Sequence, residues 1–457
     1  MEIPRIVLAG TQSGVGKTTL AVGLMAALKR RGYQIQPYKV GPDYIDPGFH
    51  TLATGRRSRN LDNFFLGEEG LIRLFLQTGQ EADLAIIEGV MGLFDGKGRT
   101  GESSTAQVAK IVKTPVILVI DGQKMAQSAA AMAYGYKNFD RELLVSAVII
   151  NNLASENHYQ LIKYPLEKKA GVKVLGYLPA QPELSLPERH LGLVPIAESK
   201  KLGAYLEQLV SAIEQHIDLE QLMEIAIQAP ELDLPAPTNN HNLLLPKQQF
   251  SVKIGVAYDQ AFNFYYQYNL ELLKELGAVL KTFSPIKDRK LPDVDGLYLG
   301  GGFPESFLVQ LATNNSLKKD IARAIKAGLP TYAECGGLLY LCQELSDLNG
   351  NCFSMVGVIP ARAVMTSRLQ GMGYVRVEAI RDNILFQQGN VARGHQFHYS
   401  RLDGLADDRP AYRLERGRGE GVRTAGYLQG NLLASYVHLH FGSNPFLAQR
   451  FIEQCSR

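Results

Sequence analysis

The sequence predicts an α/β protein of two domains, of which the first is a doubly wound parallel sheet. In the first half of the chain, runs that are nearly continuous in apolar residues alternate with helical patterns, as strands covered on both faces should do. This alternation is typical of βαβ units in a parallel sheet. The predicted strands are 5–10, 84–90, 115–121, 145–151 and 172–179, and a helical stretch lies near 198–227.

The composition and the periodicity of the sequence change after these first elements. Residues 229–249 are rich in Pro and Asn and show no clear period, which is typical of a linker. We therefore predict a first domain at 1–230, a linker at 231–250 and a second α/β domain at 251–457. The strands of the second domain are predicted at 252–258, 295–301, 329–334, 372–379 and 431–439.

Composition excludes several classes of protein. The chain has 457 residues, 46% of them hydrophobic and 20% charged, which indicates a globular protein with ample length for two cores. The net charge of +3 is too weak to indicate nucleic acid or a membrane surface, and no apolar run is long enough to span a bilayer. The four Cys form no CxxC pair, so neither a zinc site nor a disulfide framework is expected, and the cytoplasm is the expected compartment.

A phosphate-binding loop is predicted at "AGTQSGVGKTTL", 9–20, between the first strand and the first helix. Gly14 and Gly16 let the backbone approach phosphate oxygens, Lys17 can reach the β- and γ-phosphates, and Thr18 can hold Mg²⁺. The first glycine of the loop, Gly10, lies one residue earlier than in the standard spacing of a phosphate-binding loop. An ordinary glycine-rich turn is the alternative, and the strand before and the helix after argue against it.

Acidic residues follow the neighbouring strands. The loop "KVGPDYIDPGFH", 39–50, contains Asp43 and Asp46, while Glu88 ends a buried strand and Asp95 lies on the glycine loop after it. Because the carboxyl ends of parallel strands converge over the phosphate loop, these carboxylates could hold Mg²⁺ and substrate. The alternative for Asp43 and Asp46 is that they only make turns.

Three further polar residues are ambiguous. Asn151 ends the strand at 145–151, a position that resembles the one from which related P-loop proteins read the adenine base; a helix N-cap is the alternative. Arg189 and His190 could face an anionic substrate or lie in a solvated loop.

The stretch "LPTYAECGGLLYL", 329–341, places Cys335 at the turn between a predicted strand and a predicted helix. A thiol nucleophile needs a base and donors for the oxyanion. The glycines of "YLGGGFPE", 298–305, above all Gly302, could supply those donors together with Gly336. The base is expected to be His438, which we place with His440 on one face of a strand at "SYVHLHF", 435–441. The other three cysteines lack such a context and are expected to be structural.

This pattern resembles the class I glutamine amidotransferase domain, and "AFNFYYQYNLELL" (261–273) and "GHQFHYS" (394–400) match its corrin-amidating subgroup. Two departures are visible. Ala333 replaces a frequent glycine, and His440 stands where a His-x-Glu motif would put the acidic partner, so that partner is expected to be missing. His395 and His398 could contact glutamine or substrate, or be satisfied structural histidines.

The first domain resembles the dethiobiotin synthetase-like P-loop proteins. With "EGVMGLFDG" (88–96), the loop at 39–50 and "LGYLPAQPELSLPERHLGLVP" (175–195), the whole chain resembles the cobyrinic acid a,c-diamide synthase family. The resemblance implies that Asp43, Glu88 and Asp95 work with Mg²⁺ and the phosphorylated substrate. It also implies that Tyr44 and Ile45 line the substrate pocket.

The expected function is ATP-dependent amidation of the a- and c-side-chain carboxylates of cobyrinic acid through acyl phosphates. Expected partners are ATP with Mg²⁺, L-glutamine or ammonia, and a corrinoid, with neither nucleic acid nor membrane. Amidation of hydrogenobyrinate, nickel-sirohydrochlorin or the cobyric acid precursor is the alternative. A bare P-loop switch or partition ATPase is disfavoured, because it has no use for Cys335 and Gln12 replaces its second lysine. A homodimer is compatible with the sequence, which does not fix the oligomeric state.

Overall fold

The computed structural model describes residues 2–98, 101–184, 200–234, 251–405, 410–416 and 421–457. The chain divides into two units, Met1–Thr238 and Asn239–Arg457. The linker predicted at 231–250 lies outside the described residues from position 235 onward.

The first unit is built on a seven-stranded sheet whose paired strands all run parallel. Its order is β3-β2-β4-β1-β5-β6-β7, so the first strand lies in the middle and the chain winds outward from it in both directions. This confirms the predicted doubly wound sheet. The strands are β1 (Arg5–Gly10), β2 (Ile35–Val40), β3 (Arg59–Leu61), β4 (Leu84–Gly92), β5 (Val116–Asp121), β6 (Val145–Leu153) and β7 (Lys173–Pro179).

Helices cover this sheet and bury its apolar strands. The first helix is buried along most of its length and packs against the seventh, where Gly23 faces Ile213 so closely that a Cβ would come within 2.8 Å of that side chain. The helices are α1 (Lys17–Arg30), α2 (Asp46–Thr54), α3 (Asn63–Gly79), α4 (Thr105–Ile111), α5 (Ser128–Phe139), α6 (Glu156–Lys168), α7 (Lys200–His216) and α8 (Leu219–Ile227).

The register of the central strands decides which side chains meet at the carboxyl edge of the sheet. Leu8 of β1 pairs with Glu88 of β4, and Lys39 of β2 pairs with the same Glu88. Because β1 lies between β4 and β5, the loop after β1 opens where the strand order reverses, which is the usual ligand crevice of such sheets.

The second unit contains a ten-stranded mixed sheet of order β10-β8-β11-β13-β22-β21-β20-β17-β18-β23, a four-stranded sheet (β15-β14-β16-β19) and the pair β12-β9. The large sheet is parallel from β10 to β22 and antiparallel from there to β23. The strands are β8 (Val252–Ala257), β9 (Phe262–Phe264), β10 (Ala278–Phe283), β11 (Gly296–Leu299), β12 (Gly301–Gly302), β13 (Thr331–Glu334), β14 (Cys342–Ser346), β15 (Cys352–Ser354), β16 (Ile359–Met365), β17 (Gly371–Ala379), β18 (Val391–His398), β19 (Ser400–Asp403), β20 (Pro410–Arg416), β21 (Val422–Gln429), β22 (Leu432–Ser435) and β23 (His438–Leu439).

The single strand predicted at 431–439 is in fact two strands. The chain leaves β22 after Ser435 and enters β23 at His438, so the histidine pairs with β18 rather than with the parallel part of the sheet. This break takes His438 out of the parallel ladder and pairs it with His395 of β18, while it stays beside Glu334 of β13.

Among its described residues, the second unit has five α-helices. The fourth of them follows β13 with one residue, Cys335, between strand and helix. The helices are α9 (Gln267–Glu275), α10 (Leu308–Thr313), α11 (Asn315–Lys326), α12 (Gly336–Leu341) and α13 (Phe446–Cys455). Within the described part of the chain, every helix is too short or too polar to cross a bilayer.

Candidate active sites

The loop between β1 and α1 has the backbone of a phosphate cradle. Gly14 and Gly16 take φ values of +82° and +91°, a left-handed region that glycine enters without a Cβ penalty. Gly16 is the N-cap of α1, so the helix opens directly at the loop. Asn151 braces this turn: its Nδ2 donates to the Val15 carbonyl at 2.8 Å, and a Cβ on Gly16 would lie 2.0 Å from that nitrogen. The contact is compatible with base recognition, which stays a prediction.

Lys17 folds back over the loop. Its Nζ donates to the Met91 carbonyl at 2.6 Å and to the Gln12 carbonyl at 3.2 Å. Burial and the nearby Lys39 lower the pKa of Lys17 to about 8, against the attraction of surrounding carboxylates. The ammonium is thus held at the loop by two backbone carbonyl oxygens, with the shorter contact to Met91.

Glu88 is the hub of a buried polar network at the end of β4. Its Oε1 accepts from Thr18 Oγ1 at 2.6 Å and from Lys39 Nζ at 2.8 Å, while Oε2 lies 2.6 Å from His50 Nε2. Burial alone raises the pKa of this carboxyl, but Lys39 and His50 lower it well below its ordinary range. A fully buried carboxylate is stable only with such partners.

Asp46 completes the network from the first turn of α2. Its Oδ2 lies 2.7 Å from Lys39 Nζ and 3.4 Å from Thr18 Oγ1. Burial and the charge of Glu88 raise the pKa of Asp46 to about 7, although Lys39 opposes the shift. Lys39 therefore pairs with both Glu88 and Asp46, and Asp46 holds its proton more tightly than Glu88 does.

The three predicted magnesium ligands do not all share one cluster of contacts. Thr18 and Glu88 are in direct contact, whereas Asp95 Oδ2 accepts from the Gly92 backbone N–H at 3.0 Å. Among the described residues, no group of three or more His, Cys, Asp or Glu side chains could hold a metal by itself. A P-loop hydroxyl beside one carboxylate still fits Mg²⁺, because phosphate oxygens and water normally complete its coordination.

The predicted substrate loop is held by its own backbone contacts. Asp43 Oδ1 accepts from the N–H groups of Ile45 at 2.8 Å and Asp46 at 3.0 Å, which is the turn role left open by the sequence. Ile45 packs against the core of the first unit, and Tyr44 is half-buried. Arg189 and His190 lie outside the described residues.

Cys335 occupies a strained elbow between β13 and α12. Its φ and ψ are +42° and −98°, a conformation that costs a non-glycine residue about 1–3 kcal/mol and is found mostly at functional sites. The Cys335 N–H donates to the Ser435 carbonyl at 2.8 Å, and only 8% of the residue is exposed. The turn needs Gly337, where a Cβ would lie 2.2 Å from the Leu299 carbonyl oxygen.

His438 faces Cys335 from β23. Burial alone lowers the pKa of this imidazole, but the nearby Cys335 thiol and Glu334 carboxylate raise it to about 10. The ring also packs on Gly301, where a Cβ would lie 2.4 Å from His438 Cε1. The structure therefore brings together the thiol and the histidine that the sequence paired.

The two predicted oxyanion glycines are neighbours. A Cβ on Gly336 would lie 3.1 Å from the Gly302 backbone nitrogen. Gly302 has a φ of +154°, and a Cβ there would lie 2.0 Å from the Ala261 carbonyl oxygen. A side chain is excluded at Gly302 and would be crowded at Gly336, so the backbones of the two glycines lie close together.

The expectation that His438 lacks an acidic neighbour is wrong. Glu334, which directly precedes the cysteine, places Oε2 at 3.6 Å from His438 Nδ1. Its signal was present in the sequence: like Glu88, it is a carboxylate at the end of an apolar strand. The His-x-Glu spacing drew attention to position 440 instead.

His440 does not share a strand face with His438, because β23 ends at Leu439. Its ring packs against Tyr266 and Tyr268, with centroids 4.7 and 5.3 Å away, and its Nδ1 accepts from the Gly442 N–H. Buried in this way, it has a pKa lowered to about 3.

The remaining two histidines differ from each other. His395 lies directly opposite His438 in the β18–β23 pair, where burial and His438 lower its pKa to about 3. His398 stacks on the Tyr436 ring with centroids 3.7 Å apart, and its Nδ1 lies 2.8 Å from the Ser400 carbonyl oxygen. His395 therefore lies beside His438, and His398 packs on Tyr436; a contact of either histidine with glutamine or substrate stays a prediction.

The other cysteines have different surroundings. Burial raises the pKa of Cys342 and of Cys455 to about 12, which makes both poor nucleophiles. Cys352 is exposed, and all four cysteines are free thiols.

Comparison with known proteins agrees with both halves of this arrangement. Residues 6–194 match the family described as CobQ/CobB/MinD/ParA nucleotide binding domain, and residues 253–446 match the CobB/CobQ-like glutamine amidotransferase domain. Three proteins named cobyrinate a,c-diamide synthase are 45%, 44% and 44% identical to this chain, from Caldanaerobacter subterraneus subsp. tengcongensis, Priestia megaterium and Archaeoglobus fulgidus. The alignments cover 98%, 100% and 100% of this chain and 98% of each relative. This chain belongs to the cobyrinate a,c-diamide synthase family.

Proposed function

We propose that the chain amidates the a- and c-side-chain carboxylates of cobyrinate, with ATP as activator and glutamine as nitrogen donor. The observation that carries the proposal is one chain with two chemistries: a phosphate cradle with a lysine, and a thiol in contact with an imidazole. Neither chemistry alone amidates a carboxylate with glutamine as the nitrogen donor. The family assignment makes the chain a glutamine-hydrolysing ligase of cobalamin biosynthesis.

In the first unit, the cradle positions ATP so that a substrate carboxylate oxygen attacks the γ-phosphorus. ADP leaves, and an acyl phosphate forms. The Lys17 ammonium stabilises negative charge that develops on the transferred phosphoryl group. Thr18 and Glu88 would hold Mg²⁺, which supplies further charge neutralisation when bound, with Asp95 as a candidate third ligand. Asp43, Tyr44 and Ile45 are the proposed contacts to the corrinoid.

In the second unit, the Cys335 thiolate attacks the carboxamide carbon of glutamine. His438 donates its proton to the departing nitrogen, so ammonia leaves and a glutamyl thioester forms. Backbone N–H groups of Gly302 and Gly336 stabilise the oxyanion. Water, deprotonated by His438, then hydrolyses the thioester to glutamate. Ammonia displaces phosphate from the acyl phosphate and gives the amide.

The test is amidation by the purified chain with ATP, Mg²⁺ and glutamine labelled with ¹⁵N in its side-chain amide. Cobyrinate, hydrogenobyrinate, nickel-sirohydrochlorin and the cobyric acid precursor are each supplied, and mass spectrometry counts the labelled amides. We expect two labelled amides on cobyrinate. Preference for another tetrapyrrole would reassign the substrate, and no amidation of any of them would reject the function. Sedimentation of the same sample determines whether the chain is a homodimer.

A further inference from the structure

We propose that Glu334 is the acidic partner of His438, supplied from the residue directly before the nucleophile rather than from a His-x-Glu motif. It acts as a positioning residue, because it reaches the reacting atoms only through the histidine. This inference rests on the proposed role of Cys335 in glutamine hydrolysis.

The geometry matches the task of an orienting carboxylate. Glu334 Oε2 lies 3.6 Å from His438 Nδ1, an ion-pair distance that is longer than an ordinary hydrogen bond. Catalytic contacts are often long without substrate and tighten in the complex. Since Nδ1 faces the carboxylate, Nε2 is the ring nitrogen left to serve the Cys335 thiol.

Three donors fix the carboxylate in this position. Glu334 Oε1 accepts from Tyr332 Oη at 2.5 Å and from the Leu439 N–H at 3.1 Å, while Oε2 accepts from Tyr298 Oη at 3.1 Å. The Leu439 contact joins the strand that bears the nucleophile to the strand that bears the histidine. A carboxylate held in this way orients its neighbour at little further entropic cost.

The electrostatics also favour an ionic role. Glu334 is 1% exposed, and a buried carboxylate is costly unless hydrogen bonds and a positive charge compensate it. The hydroxyl and amide donors are neutral, and His438 is the ionisable base within ion-pair distance among the described residues. Burial, and to a lesser degree the charge of Glu334, raise the pKa values of four nearby phenols: Tyr265, Tyr298, Tyr332 and Tyr412.

A purely structural role is the competing explanation, since Glu334 also anchors two tyrosines. Glu334→Gln distinguishes the structural role from the positioning role, because glutamine keeps the shape of the side chain and a hydrogen-bond acceptor but lacks the negative charge. We expect glutamine-dependent kcat to fall by about 10- to 100-fold, as for a lost charged hydrogen bond, with little change in KM for glutamine. We also expect the alkaline limb of the kcat–pH profile to move to lower pH, because the imidazolium loses the charge that holds its proton.

Matched variants make the result specific. Glu344→Gln, at an exposed glutamate of β14, should change neither kcat nor the pH profile. Tyr298→Phe and Tyr332→Phe, tested one at a time, each remove one hydroxyl partner, while the carboxylate keeps its charge, the other hydroxyl and the Leu439 N–H donor. A structural role predicts that these two variants reproduce the effects of Glu334→Gln, whereas the positioning role predicts that the alkaline limb stays in place.

Each outcome decides something. Normal kcat and a normal pH profile in folded Glu334→Gln would overturn the inference. If that variant does not fold, Glu334→Asp withdraws the carboxylate by one methylene, and a wild-type glutamine-dependent kcat in it would overturn the inference equally. If Cys335→Ser hydrolysed glutamine at the wild-type rate, that result would instead reject the proposed function on which the inference about Glu334 rests.

Discussion

The ring of His438 lies so close to Gly301 that one added methyl group should disable the release of ammonia. In Gly301→Ala, the new Cβ would lie 2.4 Å from His438 Cε1 and 3.3 Å from each ring nitrogen. Carbon atoms in contact rest about 3.5 Å apart, so the ring must retreat by about 1 Å. The φ of Gly301 is outside the left-handed range, so alanine itself adds no backbone strain there.

A displacement of this size is large for a proton-transfer group. Misplacing a reacting group by about 1 Å costs roughly 10²-fold in rate. We therefore expect glutamine-dependent kcat to fall by about 10²-fold in Gly301→Ala. Ammonia-dependent amidation should be unchanged, because the second unit's thiol and histidine take no part in it.

The assay compares initial rates of amidation at saturating glutamine and at saturating ammonium salt, with circular dichroism as a check on folding. Gly135→Ala in α5 is the matched control, since a Cβ there meets nothing within 4 Å. A folded Gly301→Ala enzyme with wild-type glutamine turnover would refute the reasoning, because the ring could then not be both where it lies and the base for Cys335.

Three further predictions follow from the polar contacts. Lys17→Met should lower amidation with glutamine and with ammonia alike by about 10²- to 10³-fold; an ammonia-dependent rate near that of the wild type would contradict the phosphate-loop assignment. Glu88→Gln should lower the free energy of unfolding by about 3 kcal/mol, because Lys39 and His50 lose a buried charge; an unchanged urea midpoint would contradict this. Burial lowers the pKa of His440 to about 3, below its ordinary 6.5, so the unfolded chain binds the extra proton between these values. Stability from this site is therefore complete above pH 6.5 and declines as the pH falls toward 3, by about 2 kcal/mol between pH 7 and 5. In His440→Asn the urea midpoint should vary less with pH over that range. If its pH dependence were the same as in the wild type, the pH dependence would belong to a residue other than His440.

Local patterns predicted the first unit well because its strands are continuous apolar runs and its loop chemistry is compact in sequence. The φ values of Gly14 and Gly16 follow from glycines at fixed spacing, and the contact of Thr18 with Glu88 follows from the parallel pairing of β1 with β4. The position of Asp95 does not follow, because its turn with Gly92 depends on how the chain folds after β4.

The second unit was harder to predict because its site joins strands that are distant in sequence. Whether residues 431–439 make one strand or two depends on pairing with β18, which no local pattern records. The His-x-Glu spacing points to position 440, whereas the acid beside His438 is Glu334, which, like Glu88, is a carboxylate at the end of an apolar strand. Tertiary pairing placed the acid beside His438 from a different part of the chain.

The central claim is that one chain couples a thiol that releases ammonia to a separate site that activates a carboxylate. The most direct test is the ratio of glutamine-dependent to ammonia-dependent amidation in Cys335→Ser, with Cys352→Ser, at the exposed cysteine of the same unit, as control. We predict that Cys335→Ser makes the diamide from ammonium salt at the wild-type rate and makes none from glutamine, while the control uses both. If folded Cys335→Ser kept its glutamine-dependent rate, or lost the ammonia-dependent rate, the claim would be contradicted.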